Sequence, residues 1–201
     1  MNKNKILGFA VLGAFGFAFL LYLIYFLVEG MRGFFEAFKY FGDTFERILA
    51  MVLFIVLAIG VLVLSIFGIL KALKDDNSKL VNFTTLILLA YAGVSLLSRF
   101  LIKINAARNG GQFSFAGKEI VGLLFEVFML AGALVALLLK GEDKAMARAI
   151  AGIVAAASLL VLVVLSLADG GNGLLIVFNV FLLLAAVSAA AVYALPLLSK
   201  E

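Results

Sequence analysis

ILAMVLFIVLAIGVLVLSIFGIL, residues 48–70, contains no charge, and Ser65 is its one hydroxyl. About 20 apolar residues in a helix cross the roughly 30 Å hydrocarbon core of a bilayer. Backbone amides in lipid must be satisfied within a helix or around a closed barrel. The stretch lacks the in–out alternation of a barrel strand, which decides for a helix.

Five further stretches repeat this reading: residues 6–28, 80–102, 120–139, 149–167 and 174–195. The 201-residue chain is 66% hydrophobic, against roughly 45–50% for soluble domains. Its longest break between spans, residues 29–47, has no room for a folded domain outside the membrane. The expectation is one all-α, polytopic membrane domain over 1–201, a bundle of six transmembrane helices with an amphipathic interfacial helix between the first and second. Ile6–Val28 exceeds the ~7–15 apolar residues of a signal-peptide core, so it is read as a retained first span. Glycines in Asp169-Gly170-Gly171-Asn172-Gly173 permit the tight turn that separates the last two helices.

The amphipathic segment is residues 31–47. Phe34, Phe35, Phe38, Phe41 and Phe45 recur at helical spacing, and Arg32, Glu36, Lys39, Asp43 and Arg47 recur on the other side. Five phenylalanines on one face must meet lipid or protein. Lying flat in the interface, covering the bundle mouth and docking on a partner subunit all fit that pattern.

Composition excludes several function classes. Cysteine and histidine are both absent, which removes disulfides, thiol chemistry, the commonest general base and the commonest transition-metal ligand. No metal or other cofactor is expected, no phosphate-binding glycine loop is present, and no enzymatic activity is expected. The net charge of +4 belongs to Lys and Arg on helix flanks, where orientation and anionic lipids require them, so nucleic acid is not expected as a partner. With the N-terminus in the cytoplasm, Lys3, Lys5, Lys71, Lys74, Lys79, Lys140, Lys144, Arg148 and Lys200 lie inside. Arg32, Lys39, Arg47, Arg99, Lys103, Arg108 and Lys118 then lie outside. The inside cations concentrate in two short connections, where the positive-inside rule acts most strongly. Both termini are therefore expected in the cytoplasm, and the protein in the cell membrane.

An ionisable group well inside a span is a functional hypothesis by default. Glu126 lies seven residues into the fourth span. In this topology Arg99, Ser95, Ser98, Ser166 and Asn179 reach a similar depth, with Glu29 near the end of the first span. They form a candidate ligand or ion pocket in the outer third of the membrane, built on a Glu126–Arg99 pair. The alternative has Arg99 reaching outward with Lys103 and Glu126 left uncharged.

Small residues mark close helix approaches. Ala151, Gly152, Ala155 and Ala156 suit packing of the fifth span on the sixth, which carries Ala185, Ala186, Ala189 and Ala190. The stripe Ala10, Ala14 and Ala18 in the first span is the better candidate for contact with another subunit. Between Lys103 and Glu119, Asn109-Gly110-Gly111 followed by Phe113-Ser114-Phe115 reads as a small hairpin touching the interface.

Two functional readings follow. The first is a non-catalytic subunit or scaffold of a larger membrane complex, whose partners are the lipid bilayer and other membrane subunits or further copies of the chain. It rests on the charge-poor spans and the phenylalanine face. The second is a small transporter or substrate-binding membrane subunit with an externally open pocket around Glu126. Six helices in about 200 residues, both ends inside, an alanine-striped first helix and an external polar pocket resemble, as a layout, the substrate-binding component of energy-coupling-factor vitamin transporters.

Overall fold

The computed structural model describes residues 3–73, 78–115, 117–139, 141, 143–171 and 173–198, and every regular element among them is helical. α1 spans Lys3–Tyr25 and one π-helical turn covers Phe26–Gly30. Then come α2 (Met31–Lys39), α3 (Phe41–Leu73), α4 (Ser78–Arg108), α5 (Lys118–Leu138), α6 (Ala145–Ala168) and α7 (Gly173–Leu198). Six helical stretches are long and apolar enough to cross a membrane, α1 through α2 counting as one. The chain has the build of an integral, multi-pass membrane protein.

Chain neighbours are also neighbours in space. α1 packs on α3, α3 on α4, α4 on α5, α5 on α6 and α6 on α7, and α7 returns to α1 to close a ring. α4 also touches α1, α6 and α7, so it is the most central helix. Leu12, Phe15 and Phe19 from α1, Ala58 and Val61 from α3, Ile87 and Leu88 from α4, Met129 from α5, Leu159 from α6 and Leu182 from α7 fill the middle. The outer surface is apolar too: Val56, Ile66, Phe67, Phe128 and Leu184 are exposed. A water-soluble bundle would carry polar residues on that face.

Small residues bring backbones together. A Cβ on Gly132 would stand 2.7 Å from the carbonyl oxygen of Ala151 and 3.0 Å from the amide nitrogen of Ala155, so α5 and α6 meet there almost backbone to backbone. Gly152 lies directly against the ring of Tyr193 on α7. Ala155, Ala156, Ala185, Ala186 and Ala189 are fully buried, while Ala151 and Ala190 are partly so. The stripe on α1 follows a different course from the one expected. Ala18 is fully buried in the chain's own bundle, Ala14 packs against that core, and Ala10 is exposed. At 3.6 residues per turn, each fourth residue drifts by about 40° around the helix, so the stripe winds from the surface into the core.

The expected single helix over 31–47 is not what forms. α2 ends at Lys39, Tyr40 leaves the helical region with φ −117° and ψ 41°, and Phe41–Arg47 are the opening turns of α3. Thr44 Oγ1 donates to the carbonyls of Ala37 (2.7 Å) and Tyr40 (2.9 Å), which fastens the two arms around the break. The segment is thus the tip of a helical hairpin whose arms continue α1 and α3. Apolar periodicity did not register the break, because the phenylalanines of both arms keep to one side. At about 1.5 Å per residue, the 33 residues of α3 extend about 50 Å, whereas the 21 residues of α5 extend about 32 Å. α3 and the 31-residue α4 therefore both reach further than α5.

The 103–119 connection also differs from the hairpin expected there. α4 runs on to Arg108 and is closed by Gly110, in the left-handed region at φ 84°. The amide of Gly111 donates to Ala106 O (2.9 Å) and that of Gly110 to Ala107 O (3.2 Å). This is a Schellman cap, in which Asn-Gly-Gly ends a helix. Phe113 and Phe115 fold back on Phe100, with ring centroids 6.5 and 5.6 Å away. Residues 74–77, 140, 142 and 172, which include much of the expected inner connections, lie outside the described residues.

Candidate functional site

α4 and α5 are antiparallel, and their facing sides carry charges in register. On α4, Ser95, Arg99 and Lys103 follow one another at four-residue steps, so they share a face. On α5, Glu119 and Glu126 are seven apart and share a face likewise. Crossing the helices pairs them. Glu126 Oε1 accepts from Ser95 Oγ (2.6 Å) and Arg99 Nη2 (2.7 Å), and Oε2 accepts from Arg99 Nε (2.9 Å). Lys103 Nζ lies 2.8 Å from Glu119 and 5.4 Å from the centroid of the Phe115 ring.

Glu126 is only 1% exposed, and a carboxylate taken out of water requires such partners. Arg99 presents its fork to both oxygens, the geometry in which a guanidinium binds a carboxylate most firmly. Gly122 makes the space: a Cβ there would stand 3.1 Å from Arg99 Nη2. One turn before the acid, α5 thus has no side chain where the guanidinium rests.

Two cavities flank Arg99. The larger, about 280 Å³, is lined by Phe54 of α3, by Ser95, Ser98, Arg99, Ile102 and Lys103 of α4, and by Glu119 and Glu126 of α5. The other, about 260 Å³, lies towards α6, where Lys118, Gly122, Ser166 and Asp169 join Arg99 and Glu119. Lys118 closes its rim with an ion pair to Asp169 at 2.5 Å. Ser98 is 2% exposed, and its Oγ has no hydrogen-bond partner among the described residues.

The six residues proposed from sequence thus separate into two groups. Glu126, Arg99 and Ser95 are joined by hydrogen bonds, and Ser98 lines the cavity beside them. Asn179 is buried but belongs elsewhere: its Nδ2 donates to Ser166 Oγ at 3.0 Å, across the α6–α7 turn. α6 stands between α5 and α7, and Asn179 is not among the groups that bond Glu126. Ser166 lines the second cavity. Glu29 sits exposed in the π turn.

A second polar cluster, which sequence reasoning missed, holds the hairpin tip. Glu46 is buried and accepts from Arg108 Nη1 (2.6 Å) and Asn105 Nδ2 (3.3 Å). The Asp43 carbonyl accepts from Asn105 (2.6 Å) and Asn109 (2.7 Å), and that of Gly42 accepts from Arg108. Glu46 sits between the phenylalanine face and Arg47, and in the sequence it looks like one more exposed charge. The signal that distinguishes it is the Arg108/Asn105/Asn109 set at the end of α4, the helix that follows α3.

The phenylalanines themselves form a continuous ladder. Ring centroids run from Phe26 to Phe34 (5.8 Å), to Phe38 (5.0 Å), to Phe41 (5.8 Å) and to Phe45 (5.6 Å), with Phe35 6.1 Å from Phe34. Phe35, Phe38, Phe41 and Phe45 remain between 45% and 57% exposed. Among the described residues, no group of three His, Cys, Asp or Glu side chains is placed to hold a metal ion. No protein-family model, curated protein or solved structure matches the chain.

Proposed function

We propose that this chain is a non-catalytic subunit of a larger complex in the cell membrane, with both termini in the cytoplasm and the α1–α3 hairpin tip as its docking element. The observation that carries the reading is the phenylalanine ladder. Four rings stay about half exposed on the helical arms of the hairpin. Water disfavours exposed aromatic patches of this kind, and they mark sites that a partner covers. The tip is also stiffened by Glu46, Arg108 and Thr44, so little ordering entropy is lost on docking.

Photocrosslinking tests this reading. With a benzophenone side chain at position 38 or 45 in native membranes, we expect adducts to one defined protein, lost when Phe35 and Phe41 are changed to Ser. Adducts to lipid alone would overturn it.

A second reading, a solute-binding membrane subunit, draws support from two observations: the 280 Å³ cavity beside Arg99 and the Ser98 hydroxyl, which bonds to no described residue. The two readings are compatible, because a binding subunit is itself a non-catalytic member of a complex.

A further inference from the structure

The cavity between α3, α4 and α5 has a definite charge pattern. Arg99 and Lys103 contribute two positive charges, and Glu119 and Glu126 contribute two negative charges. They are already joined as the Arg99–Glu126 and Lys103–Glu119 pairs, so the walls sum to zero. An ion of either sign entering alone would leave one charge unbalanced in a partly buried site, which is costly. A molecule carrying both signs would meet an opposite partner at each end.

The cavity is also incomplete as it stands. Ser98 is 98% buried yet donates to no described residue, and buried hydroxyls in native proteins are nearly always bonded. Arg99 spends Nε and Nη2 on Glu126, and its Nη1 donates to no described residue. A carboxylate oxygen has two lone pairs, and Glu126 Oε2 accepts from Arg99 Nε alone, so it can also accept from an ammonium without releasing its cation. Phe54 supplies an apolar wall.

From these groups we infer that the cavity binds a small zwitterion, one ammonium and one acidic group with no net charge. The acidic end accepts from Ser98 Oγ and from Arg99, and the ammonium lies against Glu119 and Glu126. The inference rests on the solute-binding reading and adds the ligand's chemical class. Two sources carry this chemistry, the headgroup of a zwitterionic lipid and a free amino acid.

The test uses the purified full chain. Lipid retention is read by native mass spectrometry with phosphatidylethanolamine against phosphatidylglycerol, and solute binding by equilibrium dialysis against a labelled mixture of the twenty amino acids. We expect retention of phosphatidylethanolamine over phosphatidylglycerol if the source is lipid, or of uncharged amino acids over aspartate and lysine if it is a solute. Ser98→Ala removes a hydroxyl that no described residue uses. It should leave the melting temperature of the ligand-free protein unchanged and weaken the retained probe about tenfold. Preference for phosphatidylglycerol, aspartate or lysine would overturn the zwitterion and leave the binding-subunit reading standing. Binding that Ser98→Ala leaves intact would overturn the assigned pose and with it the inference. Retention of no probe, together with a higher melting temperature for the cavity-filling Ser98→Leu, would reduce the cavity to a packing gap and overturn both.

Discussion

Among the described charged side chains Glu126 is the most deeply buried, and its oxygens are held by one arginine and one serine. Removing one member of a buried pair leaves the other charge uncompensated. We expect Glu126→Ala to lower stability by roughly 3–5 kcal/mol, and the further change Arg99→Ala to recover much of that loss. Denaturation in mixed micelles measures both, and additive losses would show that the pair is uncoupled. Gly152 makes a second residue-scale prediction. Its missing Cβ is where the Tyr193 ring lies, and that ring is tethered by the 2.6 Å contact between its hydroxyl and Thr85. Gly152→Ala should therefore destabilise by about 1–3 kcal/mol through overpacking, while the same change at Gly93, where a Cβ meets nothing within 4 Å, should not. Glu126 was legible in the sequence because an acid inside an apolar run stands out. Gly122 was not, since the value of a missing side chain depends on what fills its place.

At the level of elements, the six apolar helices were legible because lipid leaves the backbone no alternative over such runs. The ends were not. α3 and α4 both continue past the apolar stretch, held by Glu46, Arg108 and the Asn-Gly-Gly cap, and hydropathy carries no record of polar groups that satisfy one another. The break at Tyr40 has a direct consequence for accessibility. Spin labels scanned from 31 to 47 should show two helical periods with a jump in phase at position 40. One unbroken 3.6-residue period would restore a single flat helix. Lys39 and Asp43 stand on opposite sides of the break, whereas Arg32 and Glu36, both on α2, pair at 3.3 Å.

For the whole molecule, orientation is tested most directly by labelling, which the absence of native cysteine makes clean. Gly42→Cys and Gln112→Cys should react with an impermeant maleimide in intact cells, and Asp143→Cys only after permeabilisation. Both positions 42 and 112 lie at the hairpin-tip end, and a Cβ on Gly42 meets nothing within 4 Å. The opposite pattern would put the termini outside. The order of helices around the ring, and the central place of α4, could not be read from the chain, because hydropathy marks which segments enter lipid but not which of them touch.

That central place bears on how the protein is made. α4 is the third membrane helix to leave the ribosome, yet it touches all five others, three of which do not exist when it emerges. Arg99 precedes its partner acid by 27 positions, a delay on the order of seconds at about 5–20 residues per second. Until α5 follows, the buried pair of Arg99 with Glu126 cannot form. The arrival of α5 is thus the earliest moment at which Ser95 and Arg99 of α4 can meet the acid that holds them.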